Sequence, residues 1–397
     1  MSKKQVAKFY SEVDQLLDQQ AFIESIEIEF KDIQDPRAKD NLSYPLVALL
    51  VIILAAVIAG ANAIIHIHEY ACTKISLFQR LLGIKKPPSY TVFWWLLVML
   101  NPQKLQETFI RWMKALPVEV KKQIIAIDGK RLNGASKQTV HLVSAWETGR
   151  SLLLGQVKTE EKSNEITAIP ELIKAIDIKG SIITIDAAGC QKKIVEDIRR
   201  AGGDYVIALK GNQGTLHDEA QNFFDQAREV EYEGAECARA KKIEKAHGRI
   251  EEREVAVASN LEWLDCREEW QDLKTLIEVT SRREVRGKVS VEKRHYISSL
   301  SLIPQEAIKL VRGHWGIENH LHWMMDVVFK EDACCISTGN APENFAVFRR
   351  MAQSILQVDA KGAKGIAKRR RLAGWNDSYL IKLLGILIND ISVKSFL

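Results

Sequence analysis

Between Leu46 and Ile65 the chain reads LVALLVIILAAVIAGANAII, a stretch without a single charge. A segment of that length and character either spans a bilayer or forms a helix covered by protein on every side. Its flanks favour the second. Pro45 fits a helix start, Gly60 and Asn62 weaken the last turns, and His66, His68, Glu69 and Lys74 follow with no break in helical pattern. The stretch is therefore expected to be the central helix of an all-α N-terminal domain, with a membrane span as the alternative.

The neighbouring sequence agrees with a helical unit. An amphipathic helix is expected at the start, then FIESIEIEFKDIQDPR, where Asp35-Pro36 marks a turn. Helices are expected over Ile75–Leu82, Thr91–Leu100 (Ser89 as N-cap) and Pro102–Leu116. Lys85-Lys86-Pro87-Pro88 and Asn101-Pro102 break them, and the unit closes near Pro117.

With 397 residues, 46% of them hydrophobic, the chain can build two or three domains with real cores. A formal net charge of +5 decides nothing, but the charge is uneven. Residues 1–40 carry six Lys/Arg against nine Asp/Glu, whereas Lys361–Arg371 carries six basic residues and no acid. That run suits a phosphate backbone or a solvated linker equally. The six cysteines form no C-x-x-C pair, which argues against a zinc ribbon or finger. No secretory leader pattern is present, so a reduced cytoplasm is the expected home. His66-x-His68 and His320-x-His322 offer metal ligands in principle, although ordinary surface or core histidines are commoner.

After residue 117 the pattern turns to strands. Ile124–Ile127 is a short apolar run ending at Asp128-Gly129. Thr139–Trp146 and Leu152–Val157 flank a hairpin turn at Glu147-Thr148-Gly149-Arg150. A helix over Glu165–Ala175, a buried strand Ser181–Ile185 ending at Asp186, a helix Gln191–Ala201 and a strand Tyr205–Leu209 complete a mixed α/β sheet. Thr215–Arg228 reads helical. A charged, β-leaning stretch from about 231 to 300 follows, with strands expected over Ile250–Ala258, Lys274–Arg282 and Lys288–Ser298. Helices then run from Pro304, over Asn344–Gln357 and over Asp377–Ile388.

The helical region Val311–Asp332 places Ile317, Leu321, Met324 and Val328 on one apolar face, with Glu318 and His322 one turn apart beside it. A carboxylate on a mostly buried helix is expensive unless a cation meets it. Asp128 and Asp186, each closing an apolar strand, are placed to deliver carboxylates to one edge of a sheet. Carboxylates and water select Mg²⁺ or Mn²⁺, and two such ions can activate an attacking oxygen and stabilise a leaving one in phosphoryl transfer. Each residue alone has an ordinary explanation, a turn-forming Asp or a half-exposed Glu. His314, Glu318 and His322 at successive i, i+4 positions leave a zinc site conceivable, and Asp326 or Asp332 could replace Glu318 as third ligand.

The local sequences carry a resemblance. AIDGKRLNG (126–134), HLVSAW (141–146), ITIDAAGCQKKI (183–194), YVIALKGNQ (205–213), HGRIEER (247–253) and GHWGIENHLHWMMDVVFKEDA (313–333) resemble the DDE transposases of H-repeat-associated, ISAs-type insertion sequences. DPR (35–37), YPL (44–46), AGAN (59–62) and KRRRLAGWNDSYL (368–380) extend it over nearly the whole chain. The resemblance implies an α/β fold, a ribonuclease-H-like mixed sheet core with a β-rich insertion at about 231–300, within residues 118–358. An all-α N-terminal domain (1–117) precedes it and a basic segment with a C-terminal helix (359–397) follows. It implies a catalytic triad of Asp128, Asp186 and Glu318 holding two Mg²⁺ or Mn²⁺ ions, Asp128 bridging both. The reaction implied is cleavage at element ends and joining of 3′-OH ends to target DNA.

The implied partners are double-stranded DNA and a second copy of the chain, as a homodimer or higher assembly, with no membrane. Lys130, Arg131, Lys210, Asn212, His247, Arg249, Arg253 and Arg312 are candidate DNA contacts, since phosphate contacts supply much of such affinity. One departure matters. Hairpin-forming relatives place Tyr, Arg and Lys around the Glu where this chain has Val311, His314 and Met325. His314, Trp315, Asn319 and His322 are then candidate substitutes at DNA, and the hairpin pathway stays open. Two alternatives to the transposase reading are a metal-dependent nuclease that never joins strands and a catalytically silent DNA-binding relic.

Overall fold

The structure, a computed structural model, describes residues 19–38, 42–115, 123–132, 140–159, 165–234, 236–246, 249–285, 288–359 and 365–387. The start of the expected N-terminal amphipathic helix, Lys361, Lys364 and the end of the C-terminal helix lie outside them. The described residues fall into two compact units. One is drawn from Met1–Pro117, Arg131–Val140 and His322–Leu397, the other from Val118–Lys130 and His141–Leu321. This division differs from the expected one at 117 and 358, because the helices after residue 322 pack with the N-terminal helices.

In the helical unit the apolar stretch is a shorter helix than expected. It runs Leu46–Ala59 and turns by 98° into Ile64–Thr73. Gly60 makes the turn with φ +122°, a conformation that side-chain-bearing residues rarely adopt. Ala48–Ile58 are buried, none more than 3% exposed, under Ala341–Val358, Ile366–Trp375, Ile64–Thr73, Gln19–Phe30 and Asp377–Gly385. A helix apolar all round is thereby covered all round. Among the described residues no single helix is long and apolar enough to cross a membrane; only the bent pair together meets that test, by length and composition. Helix Gln19–Phe30 takes in FIESIEIEF, placing Ile26 and Phe30 in the core.

The described part of the basic run is divided: Lys368 and Arg371 are exposed, as a solvated or phosphate-facing run would be, and the two residues between them are not. Arg369 and Arg370 are buried, not solvated or offered to phosphate. Arg369 donates to Leu356 O. Arg370 donates to Val57 O at 2.9 Å and to Val328 O, and its guanidinium lies 4.1 Å from the Phe329 ring centroid. Val57 O is among the last carbonyls of Leu46–Ala59, so a cation meets the negative end of that helix dipole. Burial, with Arg349 nearby, lowers the Arg370 pKa to about 10. Glu331 and Arg350, both buried, form a two-pronged ion pair at 2.5 and 3.2 Å.

The other unit is built on a mixed sheet. Its strands are β1 (Ile124–Leu132), β2 (Val140–Glu147), β3 (Leu152–Thr159), β4 (Ile182–Ile185), β5 (Asp204–Leu209), β6 (Cys237–Ala246), β7 (Arg249–Ala258), β8 (Thr275–Val285) and β9 (Lys288–Ser298). Their order is β3-β2-β1-β4-β5-β9-β8-β7-β6, with β1, β4 and β5 parallel and β5 to β9, β9 to β8, β8 to β7 and β7 to β6 antiparallel. The β-rich stretch is thus a continuation of the one sheet, joined through Val206↔Ser298 to Leu209↔His295. It includes β6, which the sequence pattern does not mark. CARAKKIEKA has little β propensity, and its full-length pairing with β7 overrides that. Helices Glu165–Ala175, Lys192–Arg200, Gly214–Glu229 and Pro304–Gly316 accompany the sheet. Pro304–Gly316 packs on β7, burying Ala307, Leu310 and Val311 against Val255, Val257 and Ile277.

Breaking the Glu331–Arg350 pair would strand a buried charge. Arg350→Met is expected to destabilise the protein by about 3–5 kcal/mol, and adding Glu331→Leu to recover most of that, both read from urea unfolding. A single variant as stable as wild type would show that the pair contributes nothing.

Candidate active site

Asp128 lies inside β1, not at its end as the apolar run had implied, because the strand continues to Leu132. Asp186 immediately follows β4. The two strands pair in parallel register, Ile124↔Ile182 through Ile127↔Ile185, so the next residue on each is an Asp. Adjacent strands lie about 4.8 Å apart, and residues in register share a face, which sets the two carboxylates side by side. Gly129 N–H donates to Asp128 Oδ1 at 2.9 Å. Asp186 Oδ1 accepts from Ala188 N–H (3.1 Å) and Gly189 N–H (3.3 Å), capping the turn Ala187–Gly189. The loop after β5 holds that turn: Asn212 Nδ2 donates to Ala187 O and Gln213 Nε2 to Cys190 O, each at 2.8 Å.

A third carboxylate joins them that the sequence analysis does not single out. Glu165, the first residue of helix Glu165–Ala175, brings an oxygen into one group with Asp128 and Asp186, all ligand atoms within 4.8 Å of one another. His141 Nε2, from β2, lies 3.0 Å from Glu165 Oε1. The carboxylate occupies the space a side chain on Gly129 would fill; a Cβ there would stand 2.0 Å from Glu165 Oε1. In sequence Glu165 shows only as an acid in a first helical turn, which is commonplace. Burial, chiefly, and the charges of Asp186, Glu165 and Glu318 push the Asp128 carboxyl up to about 7 against the Gly129 hydrogen bond. Burial and Asp186 also raise Glu165, with His141 opposing.

Glu318 is exposed and lies outside that group, yet its charge is felt at Asp128. It sits in a π turn, Ile317–His322, that interrupts the helix between Pro304–Gly316 and Trp323–Val327. Such turns are rare and often accompany function. Among the described residues His314, Glu318 and His322 are not brought into a group that could hold a metal. His320 Nδ1 faces Gly316 O at 3.1 Å, and His68 Nδ1 faces Pro88 O at 2.9 Å. His314 Nδ1 lies 3.2 Å from Thr184 Oγ1, two residues before Asp186 on β4. Burial lowers its pKa, and Asp186 pulls it back up. The close approach of Gly313 to Ile124, where a Cβ would lie 3.3 Å from Cγ2, lets this helix sit tightly on β1.

Arg131, Lys210, Arg312 and Asn319 are exposed and Lys130 is partly so. Arg253 pairs with Glu251 at 2.6 Å. Trp315 is 36% exposed, with the Arg294 guanidinium 4.6 Å from its ring centroid. His247 and the Arg249 side chain lie outside the described residues. His322, Asp326 and Asp332 belong to the helical unit.

An all-oxygen, like-charged donor set is what Mg²⁺ or Mn²⁺ takes. Asp128, Asp186 and Glu165 fit such a cation through a crowding that a positive ion would relieve.

Comparison with known proteins gives the family. Residues 107–355 match the family model described as "Transposase DDE domain", and 28–113 match the domain associated with it. The chain is 36% identical to "H repeat-associated putative transposase YhhI" of Escherichia coli K12, over 89% of this chain and 95% of that one. It is 37% identical to "Putative transposase YncI" of Escherichia coli O157:H7, over 85% and 88%. A cryo-EM structure of a piggyBac transposase synaptic complex with hairpin DNA aligns over 92% of this chain and 81% of that one. Its TM-score is 0.45 at 12% identity, too remote a likeness to carry a fold assignment.

The raised Asp128 pKa makes a pH prediction. A carboxyl with higher proton affinity folded than unfolded holds extra protons in the native state between about pH 4 and 7, so metal-free stability falls as pH rises through that window. In chelator at pH 8, Asp128→Asn should melt above wild type, by roughly 2–4 °C per kcal/mol recovered. The gap should close at pH 4, and Mg²⁺ should raise wild type alone. Equal melting at both pH values would contradict the crowding.

Proposed function

This chain belongs to the DDE transposase family, and on that premise we propose that it cuts DNA at the ends of its insertion sequence and joins the freed 3′-OH ends to target DNA. In this reading the β3-β2-β1-β4-β5 half of the sheet is a ribonuclease-H-like core. The observation that carries it is that Asp128 and Asp186 each follow directly on the paired residues Ile127 and Ile185 of the parallel neighbours β1 and β4.

Asp128 and Asp186 would hold the metal, with Glu318 as the ligand that the family resemblance implies. Two bound divalent ions, Mg²⁺ or Mn²⁺, supply neutralisation of charge on the attacking and leaving oxygens of the phosphoryl transfer. The protein's part is positional. The β1/β4 register fixes two carboxylates before DNA arrives, and His314 ties the helix of Glu318 to the strand of Asp186 through Thr184. The π turn gives Glu318 a backbone that can adjust as DNA and metal enter. Lys130, Arg131, Lys210 and Arg312 grip phosphates, and Trp315 offers a ring at the same helix. The reaction belongs to the cytoplasm, on a dimer or higher assembly, because two element ends must be brought together.

Glu318→Gln keeps shape and removes a charge. Cleavage of an end-bearing duplex in Mg²⁺ should fall about 10²–10³-fold, while DNA binding persists. Lys210→Ala should weaken binding and flatten its salt slope by about one unit. Supplying pre-cut 3′-OH ends separates joining from cutting. Wild-type protein that cuts but never joins them is a nuclease, and normal cleavage by Glu318→Gln, or by wild type in chelator, would remove the proposed mechanism.

A further inference from the structure

We infer that Glu165 is a fourth metal-ligating carboxylate of this site, seated over Gly129 and steadied by His141, which completes a cation position with Asp128 and Asp186 before DNA binds. The inference rests on the reading of Asp128 and Asp186 as metal ligands given above.

Three features carry it. The first is distance: Glu165 stands within 4.8 Å of both aspartates, while Glu318 lies outside the group. The second is rigidity. Helix Glu165–Ala175 is anchored by buried Ala168, Ile169 and Leu172 and packs on the turn that Asp186 caps. Ile169 Cδ1 comes 3.1 Å from where a Gly189 Cβ would be. The helix and the Asp186 turn are therefore packed directly against each other.

The third is Gly129. Glycine inside a strand weakens it and often marks a close approach. Here the approaching group is the Glu165 carboxylate, 2.0 Å (Oε1) and 2.4 Å (Cδ) from the missing Cβ. An acid serving only the helix dipole gains nothing from lying against two aspartates, whose repulsion opposes it. A cation shared among the three reverses that repulsion. His141 Nε2, at 3.0 Å from Oε1, fixes the carboxylate's orientation, as partners of metal-binding carboxylates commonly do.

The test is Mn²⁺ binding to the full chain without DNA, by titration calorimetry, with thermal unfolding in chelator as the check on folding. Glu165→Gln retains shape and a hydrogen-bonding atom for His141, and should weaken Mn²⁺ roughly ten-fold or more. Gly129→Ala removes no carboxylate but displaces this one, and should weaken Mn²⁺ to a similar extent. If both variants fold and bind Mn²⁺ like wild type while Asp128→Asn does not, Glu165 is structural and the inference fails, with the reading of the aspartates intact. If Asp128→Asn also binds like wild type, the metal-site reading itself falls.

Discussion

Everything proposed for this protein depends on repulsion among carboxylates. Parallel pairing of β1 and β4 is fixed by hydrophobic burial: Ile125, Ala126 and Ile127 on one strand, Ile183 and Ile185 on the other, are all at most 2% exposed. That register then forces Asp128 and Asp186 together whatever the electrostatic penalty. Glu165 adds a third charge from the helix that precedes β4. The core supplies the energy that holds the site in a high-energy charge state, and a cation is the partner that would lower it.

The helical unit solves an opposite problem. Its apolar helix has no charge to satisfy, but the carbonyls at its end need donors. Backbone N–H groups of Gly60 and Ala61 serve Val57 O and Ala56 O, and Arg370 also donates to Val57 O. Buried Arg349, Arg350, Arg369 and Arg370 each find carbonyls, a carboxylate or a ring face, so the chain's most basic stretch is partly internal framework. This limits what charge counting can say about DNA binding in such a chain.

Much of this was legible in the sequence, and the failures have physical causes. Asp128 and Asp186 were visible because an apolar run of strand length leads into each of them. Glu165 was invisible, because its partners lie on β1, β2 and β4 and only tertiary packing brings them to it. The break at Gly60 was under-read: a glycine in an apolar helix is tolerable until a φ of +122° is required of it. Cys237–Ala246 became a strand through pairing, against its own propensity. Arg369 and Arg370 looked like a solvent-facing run because sequence carries no record of which carbonyls lack donors. The π turn at Glu318 likewise cannot be read from spacing, since it is a change in backbone hydrogen bonding that no residue type in IENHLH marks.

The claim at the centre of this account is that a divalent cation sits between β1 and β4. Anomalous diffraction from crystals soaked in Mn²⁺ would test it most directly. The account predicts a peak about 2–2.5 Å from carboxylate oxygens of both Asp128 and Asp186. A protein that takes up Mn²⁺ only at other residues, leaving these two without a peak, would contradict it.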